Sequence, residues 1–231
     1  MNREEDKPAT SSGEAKLSRA AAGRLSLYLR RLEGLARDNV ETISSGQFGQ
    51  ALGVSDAQVR KDLAALGHLG QPGVGYHPGE LITVIRRVLG LHRSWPVVLV
   101  GVGNLARALL RYEGFNKQGF QIVAVFDADP AKIGQRLENW TIEPPESLAR
   151  IVAESGAKLG IITVPAEVAQ TVADQLVAAG IRGILNFAPS ILKAPPGVSL
   201  VSVDLTIQLE QLAFMVQSES TDGPLMSAAT E

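Results

Sequence analysis

The spacing of apolar residues changes character once along this chain, near Trp95. Before that point they recur every three or four positions, as on helices that bury one face. After it, short unbroken apolar runs alternate with helical patterns, the rhythm of a parallel sheet with crossover helices. The pattern predicts two domains of different class.

In the first stretch, Leu25, Tyr28, Leu29, Leu32 and Leu35 predict a helix over 17–37 that Asp38-Asn39 ends. A second, short helix starts at Ser44-Ser45 and turns Phe48 and Leu52 inward. Gly53-Val54 breaks it, and Ser55 caps a third helix over 56–66 with Val59, Leu63 and Leu66 on one stripe. The opposite face carries Ala57, Lys61 and Ala64, flanked by Gln58 and Arg60. Small residues around amide and basic side chains suit a helix lying in a DNA major groove, although a helical hairpin with a solvated basic face would show the same pattern. Four glycines in the nine positions from Gly67 to Gly75 then predict a narrow ribbon, and helices followed by a ribbon make a winged helix. A further helix over 80–89 buries Leu81, Ile85, Val88 and Leu89 and leads to the second domain.

There, a strand over 97–100 runs into Gly101-Val102-Gly103-Asn104-Leu105-Ala106, and a helix over 105–110 follows. Strand, Gly-x-Gly-x-x-Ala and helix in series are the fingerprint of a dinucleotide-binding βαβ unit. The first glycine makes the tight turn, the second admits a pyrophosphate to the backbone, and the small third residue packs helix on strand. The helix start offers N–H groups to the phosphates. A strand over 122–126 ends at Asp127, 26 residues after Gly101, where such folds place the acid that binds the adenosine ribose. A carboxylate there favours NAD over NADP, whose 2′-phosphate it repels. A helix over 145–155, a strand over 159–164, a helix over 166–179 and strands over 183–185 and 199–203 complete the unit. The strand ends at Thr163-Val164-Pro165 and Asn186-Phe187-Ala188-Pro189 belong at the carboxyl edge of the sheet, where ligands bind.

The last helix, over 205–217, carries Leu205, Leu209, Leu212 and Val216 on one stripe and Ile207 and Phe214 almost opposite. Two apolar faces predict burial on both sides, most simply in a homodimer that exchanges this helix. The expected fold class is an α/β Rossmann-like NAD-binding domain preceded by an all-α, winged-helix DNA-binding domain. Its expected divisions are a disordered tail over 1–16, the DNA-binding domain over 17–90, the dinucleotide domain over 91–203, the dimerisation helix over 204–217 and a second disordered tail over 218–231.

Charge sharpens this division. The net charge is only −2. Yet residues 16–93 hold 11 Lys and Arg against 6 Asp and Glu, whereas residues 94–231 hold 9 against 14. A basic first domain beside an acidic second one fits a polyanionic partner for the first. The chain has no cysteine, so a disulfide framework and a thiolate metal site are excluded, and a cytoplasmic setting is natural. No metal site is expected. No apolar run is long enough to span a membrane, and the first residues lack the apolar segment of a signal peptide.

His68, His77 and His92 all precede the dinucleotide domain. A hydride-transfer enzyme needs a positioned acid or base beside the nicotinamide, and no histidine is available there. The domain therefore reads as a sensor, not an enzyme. A small NAD-dependent oxidoreductase with a regulatory N-terminal domain is the alternative; a regulator that senses another nucleotide is a second.

Val59-Arg60-Lys61-Asp62-Leu63, Gly73-Val-Gly-Tyr76, the Gly101-x-Gly103 loop, Phe126-Asp127-x-Asp129-Pro130, Thr163-Val-Pro165, Gly183-Ile-Leu-Asn-Phe-Ala-Pro189 and Val203-Asp204 occur in this order. Over residues 17–217 the chain resembles the Rex family of redox-sensing transcriptional repressors. The resemblance implies a homodimer that binds palindromic double-stranded operator DNA and releases it when NADH, in place of NAD⁺, fills the second domain. It implies DNA contacts from Ser55, Ala57, Gln58, Arg60 and Lys61 and, in the wing, from Gln71, Gly73 and Tyr76. It implies cofactor contacts from Gly101, Val102, Gly103, Asn104, Leu105, Asp127, Thr163, Val164, Pro165, Asn186, Phe187, Ala188 and Leu205. Arg24, Tyr112 and Asp204 match an Arg–Tyr–Asp set that links the domains in relatives, an allosteric latch. Two departures stand out. Gln71-Pro72 replaces the basic residue that relatives carry before the wing glycines, and Leu205 replaces an aromatic residue found after the Asp in some relatives.

Overall fold

The structure is a computed structural model that describes residues 17–67 and 69–221. The chain divides into two compact units between Arg93 and Ser94. The tail expected over 1–16 lies outside the described residues.

The first unit opens with α1 (Arg19–Arg37), capped by Ser18, whose hydroxyl accepts from the Ala21 N–H. α2 (Ser45–Leu52) begins in a capping box in which Ser44 and Gln47 each bond the other's backbone. It ends at Gly53 in the left-handed conformation. α3 (Asp56–Ala64) is capped by Ser55 and ends before the expected Leu66, where the Leu66 N–H reaches back to Leu63 in a tightened last turn. β1 (Gly70–Gln71) and β2 (Gly75–Tyr76) form the expected ribbon, and α4 (Pro78–Val88) follows with proline in its first turn. Leu25, Tyr28, Leu29, Leu32, Phe48, Val59, Leu63, Leu81 and Ile85 form the core, with the Tyr28 and Phe48 rings 5.0 Å apart.

The ribbon is tied down at one rung. Ile43 and Tyr76 exchange two N–H···O bonds of 2.9 Å. Gly75 sits at φ +103°, and a Cβ there would meet the Ile43 carbonyl oxygen at 2.6 Å. Only glycine permits both the backbone conformation and this approach.

The second unit is a seven-stranded sheet in the order β5-β6-β4-β3-β7-β8-β9. Its strands are β3 (Trp95–Val100), β4 (Phe120–Phe126), β5 (Arg136–Leu137), β6 (Trp140–Glu143), β7 (Leu159–Ile162), β8 (Gly183–Asn186) and β9 (Ser199–Ser202). All pairings are parallel except β5–β6 at one edge. The helices are α5 (Asn104–Leu110), α6 (Gly114–Lys117), α7 (Leu148–Ser155), α8 (Ala166–Ala178) and α9 (Leu205–Thr221). A 3₁₀ turn over Pro145–Ser147 precedes α7, so the helix expected from Pro145 starts in two steps.

Five further elements differ from expectation. The β5–β6 hairpin and α6 were not foreseen, because strands of two to four residues carry no readable alternation. The hairpin is held instead by tertiary bonds, notably Trp140 Nε1 donating to the Ile122 carbonyl at 2.9 Å. β7 stops at Ile162, since Thr163 turns its hydroxyl back onto the Val100 and Gly101 carbonyls. α9 continues through Thr221, so residues 218–221 are helical and not part of a disordered tail; residues 222–231 lie outside the described residues. No described helix is long and apolar enough to cross a membrane.

Candidate functional site

The chain leaves β3, crosses to β4 on one side, and later returns to β7 on the other side of β3. The carboxyl ends of β3 and β7 therefore flank a topological switch point, the place where open α/β sheets leave a crevice for a ligand. A pocket of about 690 Å³ lies there. Of the expected cofactor residues it brings together Gly101, Val102, Gly103, Asp127, Thr163, Val164 and Pro165. Ala128, Lys132, Pro145, Leu148, Val168, Thr171, Val172 and Gln175 line it as well. The last four sit on α8, and the sequence analysis assigned none of them to the site.

Gly101 makes this pocket possible. It sits at φ +99°, and a Cβ would meet Val164 Cγ1 at 2.6 Å and the Thr163 carbonyl at 2.9 Å. The two strand ends touch through it, with the Thr163 N–H donating to Val100 and its hydroxyl to Gly101 at 2.7 Å. Gly103 is the N-cap of α5 in an extended conformation, with no side chain closing the helix end. Asn104 and Leu105 form the first turn of α5 and lie outside the pocket lining.

Asp127 ends β4 and is buried. Its Oδ2 accepts from the Val102 N–H at 2.7 Å and from Lys132 Nζ at 3.0 Å, while Oδ1 accepts from the Asp129 N–H at 2.9 Å. Burial alone would push this carboxyl up. The N–H groups of Asp129 and Val102 and the Lys132 ammonium together outweigh it and hold the group below the usual carboxylate range. Asp127 and Lys132 are the titratable groups lining the pocket, and they pair with each other.

The remaining cofactor candidates are placed differently. Asn186 is fully buried; its Nδ2 donates to the Ala188 and Ser190 carbonyls and its Oδ1 accepts from the Ala188 N–H. It shapes the turn after β8. Phe187 packs on the core beside β3, and Ala188 is buried. Leu205 starts α9 and is exposed. None of these four lines the pocket.

In the first unit, Ser55 serves as a helix cap, accepting from the Gln58 N–H. Ala57, Arg60 and Lys61 are exposed on α3, and Gln71 and Gly73 are exposed in the ribbon. Arg60 is drawn toward Asp56 and Ser45, at 2.7 and 3.1 Å. The Tyr76 ring is half-buried and packs over Gly70.

The central residue here went unassigned in the sequence. Asp62 is buried on α3 and receives a two-pronged bond from Arg24 at 2.6 and 2.7 Å. It also accepts from the Tyr28 hydroxyl at 2.9 Å and from Gln58 Nε2 at 2.9 Å. The Arg24 pair, more than burial, decides its titration and holds it below the usual range. Burial pushes the Tyr28 hydroxyl up to about 12. The readable signal was an acid within an apolar stripe, opposite an Arg and a Tyr four residues apart. Arg24 thus has its partner within its own unit. Tyr112 makes an edge contact with the Phe115 ring at 5.3 Å, and Asp204 caps α9 by accepting from the Thr206 N–H at 2.9 Å.

A DNA-binding unit and a nucleotide pocket on one chain are also what known proteins show. Residues 16–64 match the family described as "Putative DNA-binding protein N-terminus", and residues 92–190 match "CoA binding domain". The redox-sensing transcriptional repressor Rex of Pelotomaculum thermopropionicum is 48% identical over 90% of this chain and 98% of its own length. That of Carboxydothermus hydrogenoformans is 47% identical over 88% and 98%. Among solved structures, RSP in complex with beta-NAD+ and operator DNA superposes with a TM-score of 0.84 at 35% identity, covering 89% of this chain and 94% of that one. RSP in complex with beta-NADH gives 0.81 at 33% identity, over 90% and 97%. With this similarity running through both units, the chain belongs to the Rex family of redox-sensing transcriptional repressors.

Proposed function

We propose that this chain binds palindromic operator DNA as a homodimer and releases it when NADH occupies the pocket between the β3 and β7 ends. One observation carries the reading. The titratable groups of that pocket are Asp127 and Lys132, already paired with each other, which equips it to hold a dinucleotide and not to exchange protons with a substrate. The oxidoreductase alternative is set aside on the same ground, and the relatives are named as repressors.

The exposed Ala57, Arg60 and Lys61 face of α3 supplies the DNA-facing surface, with Gln71 and Gly73 of the ribbon beside it. A second copy of the chain covers α9, whose apolar residues are 48 to 71% exposed in the single chain. NAD⁺ and NADH differ by the positive charge of the ring, which an apolar surround penalises. The dimer that closes over the ring supplies that surround, with Leu205 exposed at the start of α9 to contribute to it, and the closed form then arises with NADH alone. Phe187 and Ala188 pack in the core and do not line the pocket. A closed form that misaligns the two α3 helices cannot reach both half-sites. Such a regulator works in the cytoplasm.

The test is displacement of the protein from operator DNA by NADH, NAD⁺ and ATP. NADH is expected to release the complex at the lowest concentration. NADH affinity is expected to fall in the presence of operator by the same factor, as linkage requires. NADH affinities equal with and without operator would sink the reading.

A further inference from the structure

Gln58 stands in the first turn of α3, and it is the N-terminal residues of a recognition helix that reach base edges. It is held at both ends. Its backbone N–H donates to the Ser55 hydroxyl at 3.2 Å, and its Nε2 donates to Asp62 Oδ1, one turn on, at 2.9 Å. The residue is half-buried, between the buried stripe of α3 and the exposed face of Ala57 and Lys61.

The bond to Asp62 fixes more than position. A carboxylate is an acceptor only, so the amide must turn its nitrogen, not its oxygen, toward it. Nor can the carboxylate turn to suit the amide. Arg24 grips both of its oxygens, at 2.6 and 2.7 Å, and the Tyr28 hydroxyl donates to Oδ2 at 2.9 Å. With the bond from Gln58, these fill the roughly four lone-pair positions of the group. Gln58 is left with one N–H and Oε1 unspent, in an order along the amide that it cannot reverse. One donor and one acceptor on the same amide match N7 and N6 of adenine in the major groove. Guanine offers two acceptors at that edge and leaves Oε1 without a donor.

We propose that Asp62 is a positioning residue for DNA sequence recognition: through its bond to Gln58 it sets the donor and acceptor that α3 presents, and so selects adenine at one position of each half-site. This rests on the reading that α3 meets operator DNA, and deepens it. Asp62 itself touches no base. α1 contributes to the base preference from inside the unit, because Arg24 and Tyr28 hold the carboxylate still.

The experiment uses the full chain without NADH, and a duplex that the wild type selects from a randomised double-stranded pool. Each base pair of the half-site is replaced in turn, and affinities are measured by fluorescence anisotropy for the wild type, Gln58→Ala, Asp62→Asn and the double variant. In the wild type, replacing the contacted A·T pair by G·C is expected to weaken binding on the order of tenfold. Gln58→Ala should abolish that penalty and keep the penalties at other positions. An asparagine can face Gln58 with its oxygen or its amide, so Asp62→Asn should reduce the same penalty to below about threefold, and adding Gln58→Ala should change it no further. If Asp62 only fastens the helices together, Asp62→Asn weakens every duplex by one factor and leaves the A·T penalty in place, which overturns the proposal. A G·C pair as the position relaxed by Gln58→Ala overturns it as well, whether or not Asp62→Asn folds. Failure of the wild type to select any duplex overturns the operator reading too, and the selection step separates that failure from the others.

Discussion

At the scale of single residues, the main interaction of the first unit is the charge on Asp62. A buried carboxylate is costly unless every oxygen is paired, and here Arg24, Tyr28 and Gln58 pair both oxygens. Three of its consequences are mechanical. α3 is fastened to α1, Tyr28 keeps a partner for a hydroxyl in the core, and Gln58 is held on α3 at the root of the face proposed to meet DNA. Asp62→Ala is expected to destabilise the first unit by about 2 kcal/mol or more, because it strands the buried Tyr28 hydroxyl and Arg24. Operator affinity should fall with it; a melting curve equal to wild type would refute this. The pH dependence has a definite sign. The folded carboxyl lies below its unfolded value, so its contribution is present above the unfolded value of about 3.9 and is lost as pH falls through the lower folded value. Acid titration of Asp62→Asn should lack that loss. A buried acid is hard to see in a sequence because its partners, Arg24 and Tyr28, lie on another helix. Asp127 was legible, since its position after a Gly-x-Gly strand unit is local. Its pairing with Val102, Asp129 and Lys132 was not.

At the scale of elements, α9 is the part of the fold that the single chain leaves unfinished. Its apolar residues point in opposite directions, and one neighbouring surface can cover only one of them. The pairing of Leu209→Glu with Phe214→Glu places a charge on each side. Sedimentation is expected to show a monomer that retains NADH binding and has lost operator binding. A dimer persisting in that double variant would move the interface elsewhere. Helix positions were read from spacing with errors of up to four residues at the ends, and best where caps such as Ser44 and Ser55 gave local signals. The β5–β6 hairpin was missed because what holds it, the Trp140 bond to Ile122, spans elements.

At the scale of the whole molecule, the coupling that the resemblance implies involves Arg24, Tyr112 and Asp204, each of which has a partner within its own unit: Asp62, Phe115 and the Thr206 N–H. Asp204 also caps α9, so its removal confounds two effects. Asn caps a helix about as well as Asp but carries no charge. Asp204→Asn is therefore expected to lower operator affinity without NADH while leaving α9 intact by circular dichroism. Unchanged operator affinity in that variant would leave Asp204 as a cap only. Because Arg24 is held by Asp62, any contact it makes with the latch must compete with a two-pronged ion pair.

What the sequence determined by itself was local in origin. Apolar period sets the element type, capping residues set the starts of helices, and the Gly101-x-Gly103 turn followed by Asp127 marks the pocket at the carboxyl ends of β3 and β7. These follow from steric and hydrogen-bonding rules that act over a few residues. Tertiary structure alone decided which faces met. It placed Lys132 and the outward face of α8 in the pocket, gave Asn186 to its own turn, and fastened α3 through Asp62. Those outcomes depend on desolvation and on pairing between residues far apart in the chain, where spacing carries no information.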